Sequence, residues 1–149
     1  MAGPELKLDV NTELAARRTG MAFQRTRLAE DRTLMAVIRT ALSLIGFGFT
    51  IFQFFQKLRD QNLVTHAGAP RHFGMALVWL GVLMLALGIA YHVQFMLGLR
   101  RLRQSMRDEG LIHGETAFPV SLTLITALLL LATGVAAIAS MQFDIGPFG

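Results

Sequence analysis

The sequence predicts an all-α integral membrane protein with three transmembrane helices, the first extended by a basic amphipathic N-terminal helix. Three observations predict it. The 149 residues are 53% hydrophobic with a mean hydropathy of +0.49, too apolar for an ordinary soluble domain. Three apolar runs, at residues 34–56, 73–97 and 118–141, each reach the ~20 residues a helix needs to cross a bilayer. Finally, residues 11–45 repeat in sevens: Asn11, Arg18, Arg25, Arg32 and Arg39 in one column, Leu14, Met21, Leu28, Met35 and Leu42 in a second, Ala15, Ala22, Ala29, Ala36 and Ser43 in a third.

Seven residues nearly close two helical turns, so each column drifts by only ~20° per repeat. The Arg column lies between the Leu/Met and Ala columns on the helix surface. Together they form one constant face about 100° wide, the width of a packed helix face. The other columns begin charged (Glu13, Arg17, Arg27, Glu30, Asp31) and end apolar (Leu34, Val37, Ile38, Ala41, Leu44, Ile45). Such a helix passes from water into lipid, and its constant face is expected to look at protein throughout. The Arg column continues as Gly46, Gln53 and Asp60. Arg39 falls within the first apolar run, where a charge must snorkel, find a partner or face water.

Residues 1–10 read as a flexible N-terminus, and residues 11–149 as a single three-helix membrane domain. Asn11 or Thr12 suits the cap of the long helix, where its side chain accepts a bond from an orphan N–H. No proline lies between Pro4 and Pro70. Gly20 is the weakest point, and a bend there onto the membrane surface is the alternative to a straight helix. Arg27 has Glu30 and Asp31 within one turn, a spacing that predicts a local ion pair. The first ten residues lack the basic start and apolar core of a cleaved signal peptide, so the first span is expected to serve as an uncleaved one.

In the first loop His66 and His72 have no third ligand nearby, so no metal site is expected. The second span carries Gly74, Gly81 and Gly88 on one face, where absent side chains let helix backbones approach; Gly46 is assigned the same role in the first. Tyr91 and His92 near its end suit the headgroup level. The second loop bears Arg100, Arg101, Arg103 and Arg107, a topology signal and a contact for anionic lipid. Pro119 suits a first helical position. Thr126, Thr133 and Ser140 on the third span are expected to bond backbone or a neighbouring helix.

Positive charge sorts the ends. Lys7, Arg17, Arg18, Arg25, Arg27 and Arg32 precede the first span, and Arg100, Arg101, Arg103 and Arg107 follow the second. Only Lys57, Arg59 and Arg71 lie in the first loop. The N-terminus is therefore expected inside and the C-terminus outside. These charges hug membrane borders and form no nucleic-acid module, so no nucleic acid is expected as a partner. No cysteine is present, which excludes disulfides and thiol chemistry. With no catalytic triad, metal cluster or phosphate-cradling loop in view, the expectation is a protein that is not an enzyme and uses no cofactor.

The run Leu28-Ala29-Glu30-Asp31-Arg32-Thr33-Leu34-Met35-Ala36-Val37-Ile38-Arg39-Thr40-Ala41-Leu42, followed by Gly46-Phe47-Gly48, resembles the signature of the YidH-like family of small bacterial membrane proteins, domain of unknown function 202. Asp31 replaces the usual Glu, and Val37 stands where an aromatic residue is common. The resemblance covers roughly residues 22–140 and implies a bacterial inner-membrane protein. The same domain is similar to the membrane part of the fungal vacuolar transporter chaperone complex, whose spans surround a basic path for polyphosphate. That resemblance carries over to Arg32 and Arg39 alone, and it does not imply polyphosphate synthesis.

Two functions follow as expectations. In the first, copies assemble as a homo-oligomer with Arg25, Arg32, Arg39 and Gln53 around a conduit for phosphate-rich anions, since guanidinium stays charged and forks onto phosphate oxygens. In the second, the protein is a non-transporting scaffold or accessory subunit. Its arginines bind anionic lipid or partners, with Glu30 and Asp31 pairing with arginines of a neighbouring copy.

Overall fold

The computed structural model describes residues 4–63, 68–108 and 121–143, with the side chains of residues 4–9 left aside. His66, Pro119 and the first residues of the expected third span lie outside the described residues. The described chain forms three helices: α1 (Pro4–Asp60), α2 (Gly68–Asp108) and α3 (Leu122–Phe143). Among the described residues there is no strand. Each helix is long and apolar enough to cross a membrane, and the chain is a multi-pass membrane protein.

The first helix runs unbroken for 57 residues. It begins at Pro4 rather than at Asn11 or Thr12, so the segment expected to be flexible is helical from that point. Proline is tolerated there because its missing N–H is one that a helix start leaves unbonded anyway. Gly20 does not interrupt the helix. At the other end Asn62 takes a left-handed conformation with φ of 54°. Its N–H donates to the Arg59 carbonyl at 3.0 Å, and the Leu63 N–H donates to the Leu58 carbonyl at 3.1 Å. This pair of bonds is a Schellman cap, with asparagine in the position glycine usually takes. Ser121 opens α3: its carbonyl accepts the N–H groups of Leu124 and Ile125 at 3.1 and 3.2 Å.

The helices α1 and α2 form an antiparallel pair whose backbones nearly touch. A Cβ added at Gly48 would stand 2.6 Å from the Gly74 carbonyl oxygen, and one at Gly74 would stand 2.7 Å from that of Gly48. Further along, Gly81 faces Ala41, Leu44 and Ile45, and Gly88 faces Val37. The helix α3 leans on both, with Gly134 against Val82 and Ile45. Above and below this seam lie two apolar layers. One gathers Ile45, Phe52, Val78, Val82, Ile138 and Met141; the other gathers Leu34, Ala41, Leu85, Ile89 and Ala127. On α1 the packing glycine is Gly48. Gly46, assigned that role from its column, has open space where a Cβ would stand.

Hydroxyls inside the helices are satisfied locally. Thr126 donates to the Leu122 carbonyl at 3.0 Å and Thr133 to that of Leu129 at 2.9 Å. His72 is bonded through Nδ1 to the Gly68 carbonyl of its own helix at 2.7 Å.

The close seam sets a first prediction. Gly48→Ala and Gly74→Ala each force a methyl group into the facing backbone and lower stability by about 1–3 kcal/mol. Gly46→Ala, with open space and better helix propensity, holds or raises it by up to about 1 kcal/mol. Thermal unfolding of the three variants in detergent checks both expectations.

Candidate functional site

Two faces of α1 carry the polar chemistry, and they point in opposite directions. Among the described side chains from Val10 to Ala41, the buried ones are Ala16, Phe23, Glu30, Leu34 and Ala41. At ~100° per residue these fall about 140° and 200° from the Arg column. The constant face of arginine, Leu/Met and alanine therefore points away from α2 and α3. Arg18, Arg25, Arg32 and Arg39 are exposed, as are Leu14, Met21, Leu28, Met35 and Leu42 beside them. This differs from the expectation that the face looks at protein: within one chain it looks outward. The reason is steric. The seam with α2 needs Gly48 and Ala41, and these sit on the far side of the helix.

Alongside the arginines, Thr19, Thr26, Thr33 and Thr40 each donate to the carbonyl four residues earlier, at 3.0–3.1 Å. These hydroxyls need no outside partner. The guanidinium groups of Arg25, Arg32 and Arg39 differ: among the described residues none has a hydrogen bond or ion pair. Gln53, further along the same column, is half-buried and already bonded. Arg17 pairs with Glu13 at 2.7 Å on an exposed surface of this helix, where such a pair is worth only a few tenths of a kcal/mol.

On the inner face, three helices meet at a polar cluster. Glu30 and Asp31 come from α1, His92 from α2 and Ser121 from the start of α3. His92 is 1% exposed and Glu30 9%. The imidazole stands between the two carboxylates: Nδ1 is 3.8 Å from Glu30 Oε1, and Nε2 is 3.8 Å from Asp31 Oδ1. Both separations are too long for hydrogen bonds. His92 Nδ1 is buried without a hydrogen-bond partner. Asp31 accepts a hydrogen bond from the Ser121 hydroxyl at 2.8 Å. It thereby faces the N-terminal end of α3, where the helix dipole favours a negative charge.

Within one chain Glu30 and Asp31 both face the His92 ring. His92, read from the sequence as an interfacial ring, is instead a core residue. Its signal was its place: one turn beyond Gly88, on the glycine face of α2. Glu30 likewise stands in a column with Ala16, Phe23 and Val37, where a carboxylate is out of character. Among the described residues no group of three or more acidic, histidine or cysteine side chains is arranged to hold a metal. The two imidazole nitrogens face different carboxylates, so a single ion cannot meet all three side chains.

Fold and site together define a small helical membrane protein with a basic outer face and a buried acid–imidazole cluster. The family model for the domain of unknown function DUF202 matches residues 25–108, a span that holds Arg25, Arg32 and Arg39 of the arginine face and the glycine contacts between α1 and α2. The chain belongs to this family. No curated protein and no solved structure matches it.

The bond at the start of α3 is directly testable. Ser121→Ala removes a donor to a largely enclosed carboxylate, which costs about 1–2 kcal/mol. Ser121→Thr keeps the hydroxyl and restores most of the loss. Unfolding temperatures of the two variants measure the difference.

Proposed function

We propose that the protein acts as a homo-oligomer in a bacterial inner membrane and that its arginine face handles phosphate-rich anions, as a conduit between copies. The observation that carries this reading is the outward, unpaired row of Arg25, Arg32 and Arg39, the last of them inside the apolar run of α1. A guanidinium at that depth is costly without a counter-charge. Phosphate oxygens supply one in the fork geometry that arginine fits, and rings of arginine are a known way to build anion pores. Each chain's interior is filled by apolar layers, so a wet path belongs between copies rather than within one.

The orientation that fits is N-terminus cytoplasmic and C-terminus outside. The antiparallel packing of α1 and α2 brings Arg18, Arg25, Arg27 and Arg32 to the same end as Arg100, Arg101, Arg103 and Arg107. One basic end of this kind follows the positive-inside rule.

One observation favours a second reading, in which the protein is a non-transporting scaffold or accessory subunit. The exposed Leu/Met column beside the arginines is a surface that lipid tails cover well, with lipid phosphates as the counter-charge. Flux of short-chain polyphosphate in proteoliposomes separates the two. A conduit gives anion-selective flux that falls about tenfold or more in Arg39→Ala, the loss of one charge-assisted bond to phosphate, while native mass spectrometry reports the same copy number. Absent flux in the wild-type protein, with anionic lipid retained by the arginines, would overturn the conduit in favour of the accessory role.

A further inference from the structure

We propose that Glu30, His92 and Asp31 form a proton-binding site that holds the three helices together according to the pH on one side of the membrane. This inference is independent of whether the arginine face conducts anions.

The geometry carries it. His92 is 1% exposed, and its Nδ1 has no hydrogen-bond partner. Each ring nitrogen faces its own carboxylate, Nδ1 towards Glu30 and Nε2 towards Asp31, both at 3.8 Å. A neutral imidazole has one N–H, so one of these carboxylates meets a lone pair. An imidazolium has two, one for each. Proton uptake forms the second N–H bond at that lone pair, with the proton drawn from water. It changes the charge of the trio by +1, so one positive ring stands between two negative groups. Asp31 passes the effect to α3 through the Ser121 hydroxyl at 2.8 Å. One proton therefore bears on all three helices.

Beyond the cluster lie Leu34, Ala41, Leu85, Ile89 and Ala127 as an apolar layer. Among the described residues the charged groups at the His92 ring are Glu30 and Asp31 from α1, and Ser121 at the start of α3 is bonded to Asp31. On α2 the positions one turn away, Gly88, Ile89, Phe95 and Met96, do not titrate. Arg27 lies one turn from Glu30 and Asp31 on α1, half-buried and engaged in its own contact.

A proton held more tightly by the folded state than by the unfolded chain contributes stability that is full below the unfolded imidazole's pKa, about 6.5, and declines as pH rises above it. The test uses the full-length protein in detergent micelles or nanodiscs. Its unfolding temperature is expected to fall as pH rises above about 6.5, where the unfolded chain's imidazole loses its proton. The response is expected to disappear in His92→Gln and to persist in His72→Gln, whose ring is outside the cluster. In parallel, nitrogen NMR of labelled histidines is expected to show both His92 resonances passing between the neutral and the doubly protonated patterns. Glu30→Gln and Asp31→Asn, which keep the ring, are expected to alter that passage. A His92 that stays in one state across the range overturns the proposal, as does a pH response that survives in His92→Gln. Should His92→Gln fail to fold, the NMR experiment on the wild-type protein decides alone.

Discussion

The near-contact of the α1 and α2 backbones at Gly48 and Gly74 is the constraint on which the rest of the structure depends. Two helices with side chains at that point cannot come so close, and each carbonyl lies where the other's Cβ would be. Once the pair is docked there, the antiparallel register follows. Gly81 meets Ala41 and Ile45, Gly88 meets Val37, and His92 arrives opposite Glu30. The same docking fixes the rotation of α1 about its axis. That rotation turns the arginine column to the outside. The basic face and the buried cluster are thus two results of one steric fit.

The cluster and the arginines illustrate two ways of accommodating charge near lipid. Glu30 and Asp31 stand on either side of the buried His92 ring, and Asp31 also accepts the Ser121 hydroxyl at the start of α3. Enclosing a carboxylate without such partners costs several kcal/mol, so this polar group ties the helices together. The arginines have no such enclosure. Their threonine neighbours are bonded to their own backbone, which leaves the guanidinium groups as the polar part of an otherwise apolar surface. Within one chain that guanidinium charge has no counter-charge among the described residues.

Much of the architecture was legible in the sequence. Three apolar runs gave three helices, the glycines of the second gave its packing face, and the run from Leu28 to Leu42 pointed to the family. The inner and outer faces of α1 were harder to tell apart. Every column of a seven-residue repeat is periodic, so periodicity alone does not say which column is buried. Gly46 and Gly48 differ by two residues and lie on opposite sides of the helix, a distinction set by where Gly74 arrives. The cluster was hidden for a related reason. Glu30, His92 and Ser121 come from three separate segments with no shared spacing, and only tertiary packing joins them. Within α1 alone, Glu30 and Asp31 looked like partners for Arg27 or for another copy.

The length of α1 has a mechanical consequence. From Gly48 back to Pro4 the unbroken helix extends about 66 Å at 1.5 Å per residue. Most of that length lies beyond the apolar run, as a stiff rod. That length is not a free arm. Ala16, Phe23 and Glu30 are buried along it, and α2, itself 41 residues long, runs antiparallel beside it. The polar cluster therefore sits inside a long two-helix strut that carries the packing of the membrane segment beyond the apolar run.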